Sequence, residues 1–292
     1  MQRVKQYLDN ERNIIMQIRH RIVYSKNSVS KRFIRFLEDR NATIEDHGSG
    51  LIIAYIEEDE KWKSELFQHL DNEGKSSMIE LIFTKQEMEE SEWFTIRSKF
   101  RWEYPQPEES YMELTYDLKQ YCSSCGSGSK QKDYFRVKKE TKWGQRNFLM
   151  LNWVEDELFI SDKMSNILKT EELRGYSILD VYQSKKEIPL QHIKQLCVQR
   201  ILQPGLINLE ESVDTTLRCR ECGSVRYICT GRQLAFEKEV FQDANLDIMK
   251  TAEVFGSGLI CARKIIISKK FYEVLRDNKL ARGLEIEPIK LV

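Results

Sequence analysis

Two short stretches hold the side chains with the most explicit chemistry. "QYCSSCGSGSK" carries Cys122 and Cys125, and "LRCRECGSVRY" carries Cys219 and Cys222, each pair followed at once by glycine. Thiolates at i and i+3 on a tight turn can face one ion, and the glycine relieves the turn behind them. Four thiolates with no histidine beside them suit zinc in a closed tetrahedral site. Such a site keeps no position for water, so its metal holds the chain and does not react. The contribution is folding energy, ~10–16 kcal/mol in small zinc peptides. The two pairs are separated by 93 residues (126–218), whereas a zinc ribbon places its knuckles about 15–20 residues apart. Two unrelated surface turns would leave the same pattern. A redox dithiol fits less well, because neither pair opens a helix in a thioredoxin-like context.

An internal similarity explains the long separation. "LFISDKMSNILKTEELRGYSILDV" (158–181) matches "IIISKKFYEVLRDNKLARGLEIEPI" (265–289) from the Ile-Ser pair onward. Ser161 aligns with Ser268, Lys163 with Lys270, Leu168 with Leu275 and Leu173 with Leu280. After one inserted residue, Arg174-Gly175 aligns with Arg282-Gly283. Each copy reads as an aliphatic strand, a serine N-cap, a helix and a glycine exit. Met164, Ile167 and Leu168, or Phe271, Val274 and Leu275, form the buried stripe. The reading is a duplicated strand-helix-strand region, with repeats over about 118–186 and 215–292, joined by one zinc-ribbon-like site of four cysteines.

The elements ahead of this region read as an α+β domain over 1–110. Val4, Leu8, Ile15, Ile18 and Ile22 suggest one helix, and Phe33, Phe36 and Leu37 a second. "ATIEDHGSGLIIAYIEE" is a hairpin turning at "HGSG". Trp62, Leu66 and Leu70 form a further helical stripe. "MIELIFT" is a strand, Thr84 to Glu87 a capping box, and "WFTIRSKFRWEY" another strand. "YPQPEESY" (104–111) is the expected linker to a second domain, 111–292. "EIPLQHIKQLCVQRILQPG" is expected as a helix joining the two repeats, with Ile193, Leu196, Cys197 and Ile201 on one side.

Other candidate sites are weaker. Asp46, Asp59, Glu60 and Lys61 loosely match the acid…acid-x-lysine arrangement of a magnesium-dependent nuclease, but "EEDEK" equally suits a helix start. His20 and His69 fall in helical stripes, His47 in a turn, and His192 five residues before Cys197, so no nucleophile–base pair is visible. Cys197, Cys229 and Cys261 stand among apolar residues, as inert buried thiols do. "FGSGLICARK" lacks the lysine-serine ending of a phosphate loop and is expected to make a bulge or a close approach to the knuckle. Glu155, Asp156 and Glu157 beside Trp153 could face a basic partner, or simply form a charged turn.

Bulk composition narrows the class. Of 292 residues, 46 are Lys or Arg and 46 Asp or Glu, for a net charge of zero, which argues against a broad nucleic-acid footprint. The sequence has no apolar run of about 18 residues to cross a membrane, and its first residues lack a secretion signal's apolar core. A cytoplasmic protein is expected, and its seven cysteines then suit metal binding or burial better than disulfides.

The order CxxCG, "ELFIS-x-K", a second CxxCG, then "FGSG" and "IIIS-x-K … GLE-x-EPI" resembles the bacterial double-CxxCG-motif proteins over about 118–292. The resemblance rests on Cys122, Cys125, Cys219, Cys222, the two serine-capped helices and the FGSG segment. It implies a non-enzymatic, zinc-stabilised module that neutralises a partner toxin by binding it, as immunity proteins do, with no catalytic residues to carry over. The alternative reading is a nucleic-acid-associated zinc protein of a defence or regulatory system.

Overall fold

A computed structural model describes residues 16–207, 213–242 and 245–292. The helical stripe expected from Val4, Leu8 and Ile15 lies outside the described residues. The chain divides into two compact units, Met1–Glu89 and Glu90–Val292.

In the first unit, β1 (Gln17–Ser25), β2 (Thr43–Asp46), β3 (Leu51–Glu57) and β4 (Ser77–Ile82) form an antiparallel sheet in the order β2-β3-β1-β4. Residues 17–25 are thus a strand and not the expected helix. His20, Ile22 and Tyr24 are buried while their neighbours are not, a period of two. Helices α1 (Lys31–Glu38) and α2 (Lys63–Asn72) supply Phe33, Phe36, Leu37, Leu66 and Leu70 to one core with Ile22, Ile52, Ala54 and Ile56. The Ser30 hydroxyl caps α1 by accepting from the Phe33 amide. The Thr84/Glu87 box is reciprocal: Thr84 N donates to the Glu87 carboxylate, and Glu87 N donates to Thr84 Oγ1. It opens α3 (Lys85–Glu90).

In the second unit, the first stretch holds β5 (Trp93–Ser98), α4 (Tyr111–Thr115), β6 (Tyr116–Asp117), β7 (Lys130–Gln131), β8 (Arg136–Val137), β9 (Phe148–Leu149), β10 (Leu158–Ile160), α5 (Asp162–Thr170) and β11 (Ser177–Gln183). The remainder holds β12 (Ile188–Cys197), β13 (Thr215–Arg218), β14 (Val225–Ile228), β15 (Ala235–Phe236), α6 (Glu239–Gln242), β16 (Ile248–Lys250), β17 (Ile265–Ser268), α7 (Lys269–Asp277), β18 (Leu284–Pro288) and β19 (Lys290–Leu291). The expected boundary near 110 falls inside this unit, because β5 is hydrogen-bonded between β17 and β18. The "YPQPEESY" stretch is no free linker either: Gln106 is buried and its backbone amide donates to Arg136 O at 2.8 Å.

Two larger sheets organise the unit, with strand orders β8-β11-β12-β10-β9 and β16-β17-β5-β18. In the first, β12 runs antiparallel between β10 and β11, setting Leu196 opposite both Leu158 and Ile178. In the second, β5 runs antiparallel between β17 and β18, setting Ile96 opposite both Ile265 and Ile286. The expected helix over residues 188–197 is therefore β12. Leu190, Ile193 and Leu196 are buried at a three-residue spacing that mimics a helix, because the β11–β12 register shifts between Asp180 and Tyr182.

The serine caps match in detail. Ser161 accepts from Met164 N and donates its Oγ to Asn147 Oδ1 at 3.0 Å. Ser268 accepts from Phe271 N and donates to Asp247 Oδ1 at 2.8 Å. The expected glycine exits fall later than the helix ends: α5 is capped at Glu171 and α7 at Asn278, with Lys279 left-handed at φ of 54°. Gly175 and Gly283, at φ of 108° and 83°, turn the following loops toward β11 and β18. At Gly175 a Cβ would come within 2.2 Å of Ile248 O, so this loop position requires bare backbone.

Candidate metal centre and its surroundings

The two knuckles are local hairpin ends. β6 pairs with β7 around the first and β13 with β14 around the second. Cys122 N donates to Ser127 O and Cys219 N to Ser224 O, each at 2.8 Å. Gly126 and Gly223 sit at φ of 77° and 74° behind the second cysteine of each pair. A Cβ on Gly126 would stand 2.2 Å from Leu259 O, so glycine there lets the 255–260 arm lie directly on the knuckle. The close approach expected of "FGSG" is present.

All four sulfurs lie within 4.8 Å of one another, with Cys122, Cys125 and Cys219 buried and Cys222 exposed. Cys122 Sγ is 3.8 Å from Cys219 Sγ, and Cys125 Sγ is 3.5 Å from Cys222 Sγ. Zinc–sulfur bonds of about 2.3 Å put tetrahedral ligands about 3.8 Å apart, so the donor set fits such an ion. The separations are far beyond a disulfide bond of about 2.05 Å, and all seven cysteines are free thiols. The Ser127 hydroxyl and the Ser224 amide lower the Cys222 thiol to about 6. At Cys122 the Ser124 amide favours the thiolate, but burial and the neighbouring Cys222 and Cys125 outweigh it and raise the thiol to about 12. Cys125 is lowered as well, its burial being outweighed by the Ser127 hydroxyl and amide, so the conflict falls on Cys122. A bound dication removes that conflict by deprotonating its ligands.

Arg226, absent from the sequence reading, supports the knuckle from behind. Its buried guanidinium donates through Nη1 to Gly258 O at 2.5 Å, Ile260 O at 3.3 Å and Cys125 O at 3.4 Å. Nothing local in "SVRYI" announces this, since all three acceptors are backbone carbonyls of distant segments.

The acidic stretch 155–157 does not form an outward-facing surface. Glu155 pairs with Arg101 at 2.6 Å and with Arg97 at 3.6 Å. Glu157 is buried, pairs with Lys250 Nζ at 2.6 Å and accepts from Gln195 at 2.9 Å. Asp156 shares the same ammonium at 3.4 Å. Burial raises the Glu157 carboxyl against the pull of Lys250. The buried Lys250 ammonium is itself raised: Glu157 and Asp156 overcome a desolvation that acts the other way. Truncating Lys250 alone would strand this carboxylate. We expect Lys250→Ala to cost about 3–5 kcal/mol in urea unfolding, and Lys250→Met with Glu157→Gln to recover most of it.

The remaining candidates are positioned as follows. Asp46 accepts from Gly48 N and Asp59 from Lys61 N, each closing its own turn. Among the described residues, the four cysteines are the group of three or more His, Cys, Asp or Glu side chains close enough to share an ion, and Asp46, Asp59 and Glu60 do not form such a group with one another. Cys197 is buried on β12, and burial raises its thiol; it raises Cys229 and Cys261 to about 11. His69 is buried with its ring 4.5 Å from Phe36, His47 pairs with Glu45, and exposed His192 pairs with Asp162.

His20 holds a hydrogen-bonded relay that the sequence reading missed. Ser77 Oγ lies 2.9 Å from Nδ1, and Glu58 Oε2 lies 2.9 Å from Nε2. Lys63 holds the other Glu58 oxygen at 2.8 Å. The imidazole has 0% exposure and the Phe67 ring stands edge-on to it at 5.6 Å. No substrate reaches a base sealed in this way. The relay satisfies a buried polar side chain at both nitrogens.

Beside the knuckles the second unit has a cavity of about 1420 Å³ whose walls include Tyr104, Tyr134, Trp153, Ile201, Leu259 and Ile260. Of the nine large apolar side chains exposed among the described residues of this unit, these are six. No helix among the described residues is long and apolar enough to cross a membrane. No protein-family model matches the chain, and no curated protein matches it.

Proposed function

We propose that the second unit is a non-enzymatic, zinc-clasped binding module that acts as an immunity-like protein, neutralising a partner toxin by covering it. The observation that carries the binding reading is the gathering of exposed aromatic and aliphatic side chains around one cleft. Exposed apolar side chains gathered on one cleft point to an interaction site, and singly scattered ones do not. The four thiols speak against metal catalysis in the same place. Filling all four tetrahedral positions with sulfur leaves a zinc ion without an open site for water.

The clasp reading extends to the architecture. We read residues 90–187 and 188–292 as duplicated halves that have exchanged their first strands. β5 completes the sheet of the later half, and β12 completes that of the earlier one. The chain after each strand then crosses back. Trp102 N donates to Met150 O at 3.0 Å, and Leu202 N donates to Lys250 O at 2.9 Å. Matching registers, matching caps and matching crossings support common descent of the halves. Each half contributes one knuckle, so the metal would tie together what the strands interlock.

The functional test is protection. If the gene beside this one encodes a toxin, as the reading predicts, bacteria producing that toxin should resume growth when the chain is co-expressed, and the two proteins should co-purify in equal amounts with the toxin chemically intact. Unrelieved toxicity overturns the reading, as does recovery of a cleaved or modified toxin.

A further inference from the structure

The cleft beside the knuckles narrows the partner's chemistry further, and the argument rests on the binding-module reading. We propose that it takes an extended polypeptide segment of the partner, apolar at its centre and acidic at its flanks. Size comes first. About 1420 Å³ exceeds the roughly 300–1,000 Å³ of sites for compact small molecules, and suits several residues of chain.

The anchors are already in place. The Trp153 ring lies 4.5 Å from that of Tyr104 and 6.0 Å from that of Tyr111, yet the residue stays 55% exposed. Its backbone is left-handed, with φ of 66°, a conformation uncommon for a bulky side chain. An indole presented on such a turn and braced by two tyrosines is preorganised, and Trp and Tyr are the side chains that dominate interface energetics. The 255–260 arm adds Leu259, 63% exposed, and Ile260. These aliphatic groups favour a polypeptide over single-stranded nucleic acid, which would use the aromatic rings but find no partner for leucine and isoleucine.

Charge sets the flanks. The acids of the cleft are matched from within: Glu155 by Arg101, Asp133 by Arg136, and Glu157 with Asp156 by Lys250. On the first-knuckle hairpin, Lys130 and Lys132 line the cleft as exposed side chains, and neither has a carboxylate within ion-pair distance among the described residues. Arg263 spends its guanidinium on the neutral carbonyls of Thr251 and Ala252. The unmatched charge at the rim is positive, so acidic side chains at the ends of the bound segment complement it.

The test is selection on the full-length, zinc-loaded protein. A phage library of random dodecapeptides is panned against wild type, and enriched peptides are labelled with fluorescein and titrated. We expect an apolar centre flanked by Asp or Glu, with binding weakened about tenfold or more by Trp153→Ala or Leu259→Ser. Lys130→Glu with Lys132→Glu should weaken it and flatten its salt dependence. Wild-type-like thermal melts of the variants exclude misfolding. Absence of any enriched pattern overturns the proposal, and so do peptides that bind Trp153→Ala as well as wild type. Tight binding of oligothymidylate, lost in Trp153→Ala, overturns it in favour of a nucleic-acid cleft. Toxin protection separates the levels: if Trp153→Ala protects fully, the cleft assignment fails while the binding module stands. If wild type protects nothing, the module reading itself has failed.

Discussion

Replacing Cys219 by serine is expected to abolish metal binding and to unfold the second unit under conditions where the first stays folded. Metal analysis of wild type should find about one zinc per chain, as a single four-thiolate site requires, and the variant almost none. A serine hydroxyl is a poor zinc ligand at neutral pH, and three thiolates leave the ion open to water and to competing chelators. The whole binding free energy is not at stake, because the second unit has two apolar clusters of its own around Phe236 and Phe159. A loss on the order of 5 kcal/mol is the expectation, which is most of the stability of an ordinary domain.

The first unit is the internal control, since its core contains no cysteine. Cys229→Ser and Cys261→Ser supply another: both thiols lie outside the four-sulfur group, so metal content should stay unchanged. The pH dependence has a fixed sign. Zinc binds thiolates, so protons compete with it, and its stabilisation is present at neutral pH and lost as pH falls. A wild type that purifies without metal and melts identically with and without chelator would sink the clasp.

How much of this is legible in the sequence follows from how local each signal is. The cysteine pairs can be read because coordination chemistry is written in a four-residue turn. The Ser161 and Ser268 caps can be read because an N-cap involves residues three apart. Strand partners are another matter. Nothing in "WFTIRS" says that it will sit between two strands far along the chain, with Ile96 opposite Ile265 and Ile286, and a linker placed after it looks reasonable. The acidic stretch at 155–157 reads as surface because its cation, Lys250, is 93 residues away. β1 and β12 read as helices for a shared reason: apolar residues at three- and four-residue spacing look helical when one strand is seen without the sheet covering it. In β12 the irregular pairing with β11 produces that spacing outright.

Severing the chain between Lys185 and Lys186 is the sharper test of the strand exchange. The cut falls in the turn from β11 to β12, where both lysines are exposed, so an intact fold should tolerate it. Fragment 90–185 keeps β10 and β11 but lacks β12, the strand hydrogen-bonded between them. Fragment 186–292 keeps β17 and β18 but lacks β5. Each piece alone therefore has a sheet with its middle removed, unpaired backbone on both sides of the gap and only half of the thiols. Neither should give a cooperative melt or dispersed amide resonances. Mixed at micromolar concentration with zinc, they should form an equimolar complex with the wild-type spectrum, and chelation should weaken that complex by orders of magnitude. The opposite result is equally clear. If either fragment folds alone as a monomer, its own first strand has tucked into its own sheet, and the interlock is dispensable. The halves would then be separable domains held by metal alone, and a mutation in β5 such as Ile96→Asp would damage only the sheet of 248–288. If the halves are interlocked, that same substitution unfolds both sheets together, because β5 leads directly into the 100–102 segment that closes the other one through Met150.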